Sequence, residues 1–218
     1  VPERHVVYQE FLPEGVKISD KRPVNTLLNS DAFLYLSYPL NDMVLGRALM
    51  EPYPKGGSHW NAWGAYIGYR DICFRCGIQP KPIDYFEIEH NPVPGGCDLD
   101  DRLGEEARPY TTFHKHEASG RCVFDNGIWK VGNLKVYENK DKGLPKLILF
   151  RDSFSANLLP LLEESFSRII AVATGGFFPD LVASERPNFV VTEIAERWLS
   201  TTMGDANYST VARRLREL

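Results

Sequence analysis

Short apolar runs rich in branched and aromatic residues recur along this chain, and stretches with helical spacing lie between them. That alternation is the pattern of βαβ units, so it predicts an α/β fold with a mostly parallel central sheet. The candidate strands are Ala32–Leu36, Ile83–Ile88, Lys146–Phe150, Ile169–Ala173 and Asn188–Thr192. Helices are expected over Leu40–Leu49, Asn61–Cys76, Ser155–Ser165, Pro179–Ser184 and Ala206–Leu218. The last carries Val211 and Leu215 on one face among Arg213, Arg214 and Arg216, the pattern of a packed helix with a solvated basic side. From Pro92 to Leu144 the chain is rich in Gly, Pro, Asp and Asn, with a strand candidate only near Leu134–Tyr137. This reads as an excursion from the sheet, and residues 1–218 are taken as one domain.

The 218 residues are enough for one sizeable core, and a composition of 43% hydrophobic and 25% charged residues excludes a disordered or fibrous chain. Lys and Arg number 25 against 29 Asp and Glu, a formal charge of -4, so there is no basic surplus with which to release counterions from a phosphate backbone. Nucleic acid is not expected as a partner. No apolar run reaches the length of about eighteen residues that a membrane helix needs, and Val1–His5 does not open a signal peptide. The chain reads as cytosolic or as an exported protein without its export signal. Four cysteines leave the compartment open. Cys73 and Cys76 read as apolar thiols near a helix end, and Cys97 with Cys122 as a disulfide pair if the protein is exported. A zinc site from Cys97, His114, His116 and Cys122 is the sharper alternative, although their spacing follows no tight zinc pattern. No cofactor is expected.

The most chemistry lies around Phe150-Arg151-Asp152-Ser153-Phe154-Ser155. An apolar strand ends there and a helical pattern opens at once, which puts Ser153 in a tight turn at the carboxyl end of a strand, where α/β proteins bind ligands. A hydroxyl in that place can attack a carbonyl while backbone N–H groups of the following helix receive the developing oxyanion. The alternative is that Asp152, Ser153 or Ser155 simply caps the helix.

A second segment, Tyr53-Pro-Lys-Gly-Gly-Ser-His-Trp-Asn-Ala-Trp-Gly-Ala-Tyr66, is a Gly-rich loop running into a helix with His59 at its start. A serine hydroxyl is a poor nucleophile at its own pKa, so a histidine base is what would activate Ser153. Taken alone, His59 also reads as a packing or capping residue beside Trp60 and Trp63.

Together the two segments resemble the SGNH-hydrolase-like domain of the alginate O-acetylation proteins AlgJ and AlgX and related polysaccharide O-acetyltransferases. That family carries Thr-Asp-Thr-His-Trp-Asn followed by Gly-Ala-Tyr, and later Asp-Ser-Phe at a strand end. Here His59-Trp60-Asn61, Gly64-Ala65-Tyr66 and Asp152-Ser153-Phe154 match in type and order. Weaker echoes lie in Val1–Pro13, in Asp98-Leu99 before Leu103-Gly104, and in Glu196-Arg197-Trp198-Leu199, so the resemblance spans nearly the whole chain.

The resemblance implies an SGNH-like three-layer fold and two-step acyl transfer. Ser153, activated by His59, takes acetyl from a donor and passes it to a glycan hydroxyl; with water in place of the sugar the same chemistry is an acetylesterase. It implies Asp152, Asn61, Trp60, Arg151 and Arg197 as supporting or substrate-binding residues, the two arginines alternatively pairing with carboxylates, with Trp60, Tyr53, Trp63 and Tyr66 as aromatic faces for sugar rings or as core. It also implies a periplasmic or extracellular setting beside a membrane protein that supplies acetyl groups.

Two departures stand out. The family has an aspartate two residues before its histidine, where this chain has Gly57. Losing such an orienting carboxylate from a serine-protease triad costs about 10⁴ in turnover, largely through the wrong imidazole tautomer. A backbone carbonyl near Gly57, or Asp42 or Asp98, is the candidate replacement, and a non-catalytic glycan-binding or assembly subunit remains the alternative function. The chain also begins where the family's domain is under way, so an early strand and its loop are expected ahead of Val1.

Overall fold

The computed structural model describes residues 1–92, 97–100, 104, 109–115 and 117–201. The helix expected over Ala206–Leu218 and the candidate ligand His116 lie outside them. The chain divides into two compact units, Val1–Glu117 and Ala118–Leu218.

Among its described residues the first unit carries the α-helices α1 (Arg4–Val7), α2 (Pro23–Leu28), α3 (Leu40–Gly46) and α4 (Ala62–Arg75), followed by β1 (Phe86–Pro92) and β2 (Pro109–Lys115). The two strands pair antiparallel, from Phe86 opposite Lys115 to Pro92 opposite Pro109. Helix α4 is its centre. Asn61 caps it, with Oδ1 accepting the Trp63 and Gly64 N–H groups at 3.0 and 3.2 Å, and its first turns, Ala62–Tyr69, are buried on every side. Glycine makes that burial possible: a Cβ on Gly68 would stand 2.9 Å from the Trp60 ring. The strand expected at Ala32–Leu36 is instead a 3₁₀ turn, Asp31–Tyr35. Ser30 Oγ accepts the Ala32 N–H at 3.3 Å, a local bond that competes with strand pairing, and Leu34 and Tyr35 face solvent.

Among its described residues the second unit holds a five-stranded sheet and two α-helices: β3 (Gly120–Asp125), β4 (Leu134–Asn139), β5 (Lys146–Arg151), α5 (Ser155–Leu162), β6 (Arg168–Ala173), α6 (Pro179–Glu185) and β7 (Phe189–Thr192). The order across the sheet is β3-β4-β6-β5-β7. Strand β5 pairs parallel with both β6 and β7, whereas β4 pairs antiparallel with β6 and β3 antiparallel with β4. The sheet is therefore mixed, with its parallel part confined to β6, β5 and β7, where a mostly parallel sheet was expected. Strands β5 and β6 are continuous apolar runs because both of their faces are covered. Ile148, Phe150, Ile170 and Val172 pack with Leu134, Val136 and Phe178 on one face, against Leu181 and Val182 of α6. Leu147, Leu149, Ile169 and Ala171 alternate onto the other. Each fully buried aliphatic side chain contributes about 1.5–3 kcal/mol relative to exposure. The stretch expected to be a loop-rich excursion contains β2 and β3 as well as β4.

All four cysteines are thiols, Cys73 and Cys97 buried, Cys76 half-buried and Cys122 exposed, so the expected Cys97–Cys122 disulfide is not formed.

Candidate active site

In the first unit the Gly-rich loop is folded tightly before α4. Gly57 N–H donates to Pro54 O at 3.1 Å, Asn61 N–H donates to Pro52 O at 3.0 Å, and Arg4 Nη1 donates to Gly57 O at 3.2 Å. His59 leaves this loop half-buried. The segment carrying Asp98 docks against it through the Leu99 N–H, which donates to Gly56 O at 2.8 Å. Both oxygens of Asp98 are then held by one residue: the Ser58 N–H donates to Oδ1 at 2.7 Å and the Ser58 hydroxyl to Oδ2 at 2.5 Å. Ser58 Oγ also lies 3.0 Å from His59 Nδ1, while Asp98 Oδ2 is 3.8 Å from that nitrogen. Partial burial pushes the Asp98 pKa up, but the two Ser58 donors and the facing His59 outweigh it and hold the carboxyl below its usual value. Asp42, the other candidate orienter, sits in the first turn of α3 and lines a groove with Leu45, Trp63 and Phe74.

Gly57 stands where the resemblance calls for aspartate, and packing explains its size. A Cβ there would lie 2.5 Å from Pro54 Cγ.

In the second unit β5 ends at Arg151 and α5 begins at Ser155, leaving Asp152-Ser153-Phe154 as the turn. Ser153 is exposed, between half-buried Asp152 and buried Phe154. Asp152 organises the turn. Its Oδ1 accepts the Phe154 N–H at 2.8 Å, its Oδ2 accepts the Ala195 N–H at 2.7 Å, and its carbonyl accepts the Ser155 hydroxyl at 2.9 Å. Its own N–H donates to Glu193 Oε2 at 3.2 Å. Glu193 follows β7, is buried, and is kept in place by its N–H, which donates to Phe150 O at 2.7 Å. Burial first, and then the neighbouring Asp152 carboxylate, push the Glu193 carboxyl well above the usual range.

Several residues expected to serve substrate are structural. Trp60 is buried against the glycines of α4, and Asn61 is spent on the helix cap, with Nδ2 donating to Glu51 O at 2.8 Å. Arg151 donates to Asp152 O at 3.3 Å and to Asn133 Oδ1, bracing the turn. Tyr53, Trp63 and Tyr66 are buried too, so the expected aromatic platform is core. Asp152 takes up the N–H of Phe154, the residue at the start of α5, but the helix carries no side-chain cap, so the expected capping by Asp152, Ser153 or Ser155 is not seen. Arg197 differs: it is exposed, with its guanidinium 5.5 Å from the centre of the Phe154 ring beside Ser153. Of the zinc set, Cys97 is buried and His114 faces Glu89 and Thr112 on the exposed side of β2. No group of three or more metal-ligating side chains gathers among the described residues.

Ser58 and Glu193 were not anticipated. The signal for Ser58 was its position directly before His59; for Glu193 it was an acid placed directly after an apolar strand.

The architecture so defined is a mixed α/β fold with a serine-bearing turn at the carboxyl end of its central parallel strand. No family model matches the chain, and no curated protein matches it. Solved structures do. A DHHW family protein from Eubacterium siraeum superposes with a TM-score of 0.73 at 14% identity, covering 96% of this chain and 80% of that one. Bacillus cereus PatB1 with a sulfonyl adduct gives 0.64 at 13% identity, over 92% of this chain and 80% of that one. The O-acetyltransferase domain of Pseudomonas putida AlgJ gives 0.58 at 16% identity, over 98% and 79%. The chain therefore has the fold of these proteins, including that of the AlgJ O-acetyltransferase domain.

Proposed function

We propose that this chain is an O-acetyltransferase for a bacterial cell-surface or extracellular polysaccharide, with Ser153 as nucleophile and His59 as general base. The observation that carries the reading is the state of the Ser153 turn. A serine is exposed just beyond the end of a buried parallel strand, in a turn that its neighbour Asp152 holds in place by accepting the Phe154 and Ala195 N–H groups. The shared fold with an O-acetyltransferase domain supports acetyl as the group transferred.

In the first half-reaction Ser153 Oγ attacks the acetyl carbonyl of the donor, its proton passes to His59 Nε2, and the donor's leaving group departs with that proton. In the second, a sugar hydroxyl gives its proton to His59 and attacks the acyl-serine, releasing the acetylated sugar and restoring Ser153. Arg197, exposed beside the turn, is a candidate to hold polar groups of the substrate. An exported protein working beside a membrane protein that supplies acetyl groups fits the reading. No helix among the described residues is long and apolar enough to cross a membrane.

The test is acetate release from p-nitrophenyl acetate by the wild type and Ser153→Ala, with and without an oligosaccharide acceptor, together with mass spectrometry after treatment with a sulfonyl fluoride. Release and sulfonylation that both need Ser153, with an acetylated sugar as product, are expected. Release to water alone would make the protein an esterase. Equal release and labelling in the variant would remove Ser153 from the chemistry and favour a glycan-binding or assembly role.

A further inference from the structure

We infer that Ser58 and Asp98 are positioning residues for His59, a hydroxyl relay that takes the place of a carboxylate bonded directly to the imidazole. The inference rests on the reading of His59 as the base. The direct Asp98–His59 approach, 3.8 Å from Oδ2 to Nδ1, is too long for a hydrogen bond. Ser58 Oγ bridges the gap, 2.5 Å from Asp98 Oδ2 and 3.0 Å from His59 Nδ1.

Hydrogen-bond direction then determines the tautomer. An ionised carboxylate has no proton to give, so at the Asp98 contact the Ser58 hydroxyl must donate. A hydroxyl has one proton, so toward His59 the same oxygen can only accept. Nδ1 must therefore carry the imidazole proton, and the basic lone pair falls on Nε2, the nitrogen that the acyl-transfer reading requires. The Asp98 carboxylate stands behind this bridge, 3.8 Å from Nδ1. The carboxylate cannot swing away cheaply, because the Ser58 N–H holds its other oxygen and the Leu99–Gly56 bond holds its segment. Packing disfavours the alternative layout, since a Cβ at Gly57 would stand 2.5 Å from Pro54 Cγ and the ring would have to shift.

The experiment is the ¹⁵N NMR signature of the His59 ring in the full chain, near neutral pH, for wild type, Asp98→Asn, Ser58→Ala and Ser58→Thr. Wild type and Ser58→Thr should show the Nδ1–H form. Asp98→Asn should reverse the relay: its amide N–H donates to Ser58 Oγ, the hydroxyl turns to donate to Nδ1, and the proton moves to Nε2. Ser58→Ala, which keeps the backbone bond to Asp98, should show a mixture. An Nε2–H ring in the wild type, or the same tautomer in wild type, Asp98→Asn and Ser58→Ala, would overturn the inference. This readout needs no turnover, so it stands or falls apart from the acyl-transfer reading. In the acetate-release assay, Ser58→Ala and Asp98→Asn should lower kcat at least about tenfold with KM little changed, less than the ~10⁴ of a directly paired triad, and Ser58→Thr should restore most of it.

Discussion

Asp152 and Glu193 clamp the serine-bearing turn to the end of β7. The Asp152 N–H donates to Glu193 Oε2 at 3.2 Å, and Asp152 Oδ2 in return accepts the N–H of Ala195 at 2.7 Å. Two acidic residues can share this space because burial, together with the Asp152 charge, keeps the Glu193 carboxyl above its usual pKa. A carboxyl that is harder to ionise eases the repulsion between the two acids.

Glu193→Ala should destabilise the second unit by about 1–3 kcal/mol, because it leaves the Asp152 N–H without its buried acceptor. Urea unfolding checks this. Glu193→Gln, whose amide oxygen can take the same N–H, should lose much less.

The same residue makes a pH prediction. A carboxyl with a raised folded pKa binds more protons folded than unfolded, so its stabilisation is complete below its unfolded pKa of about 4.3 and is lost as pH rises through the folded value. Wild type should therefore lose stability relative to Glu193→Gln as pH is raised above about 4.3. Parallel curves for the two proteins across that range would show that Glu193 is ionised in the fold.

Asp98 behaves in the opposite sense. Its folded pKa is depressed by Ser58 and His59 against the effect of partial burial, so its contribution is present above an unfolded pKa of about 3.9 and is lost as pH falls through the folded value. The Ser58 amide should lose hydrogen-exchange protection on acidification through that window. In Asp98→Asn its protection should not change there.

Gly57→Asp, which places an acid where the resemblance calls for one, should lower stability by about 1–3 kcal/mol and leave acetate release no higher. Its Cβ would stand 2.5 Å from Pro54 Cγ, an overpacked contact with a ring that has little room to move. Thermal unfolding with the acetate-release assay reads both parts. A stable variant with raised activity would show that the missing aspartate, and not the relay, limits the protein.

Much of the second unit was legible because β5 and β6 are buried on both faces and so carry uninterrupted apolar runs. Lys146–Arg151, Arg168–Ala173 and Phe189–Thr192 fall where Leu, Ile, Val and Phe cluster, and α4 begins at the Asn61 cap. Strands β2 and β3 were missed because they have mixed composition and antiparallel partners, and β3 is mostly solvent-facing, so no apolar run marks it. The Ala32–Leu36 run misled for the converse reason: an apolar segment with no strand partner follows its local Ser30 bond into a 3₁₀ turn.

The sequence by itself determined which residue types were on offer, and their local roles: a serine in a strand-to-helix turn, a histidine entering a capped helix, and apolar runs long enough to build the strands beneath. These are short-range matters of periodicity, capping and turn chemistry, written within a few neighbouring residues. Only the tertiary structure decided that the acid facing His59 is Asp98, reached through Ser58, that Glu193 supports Asp152, and that Trp60 and Asn61 hold the fold. Those pairings join residues about forty positions apart or turn on the start of α4 being buried on every side. Hydrogen-bond partners and desolvation at such distances are set by how the backbone packs, which no local pattern records.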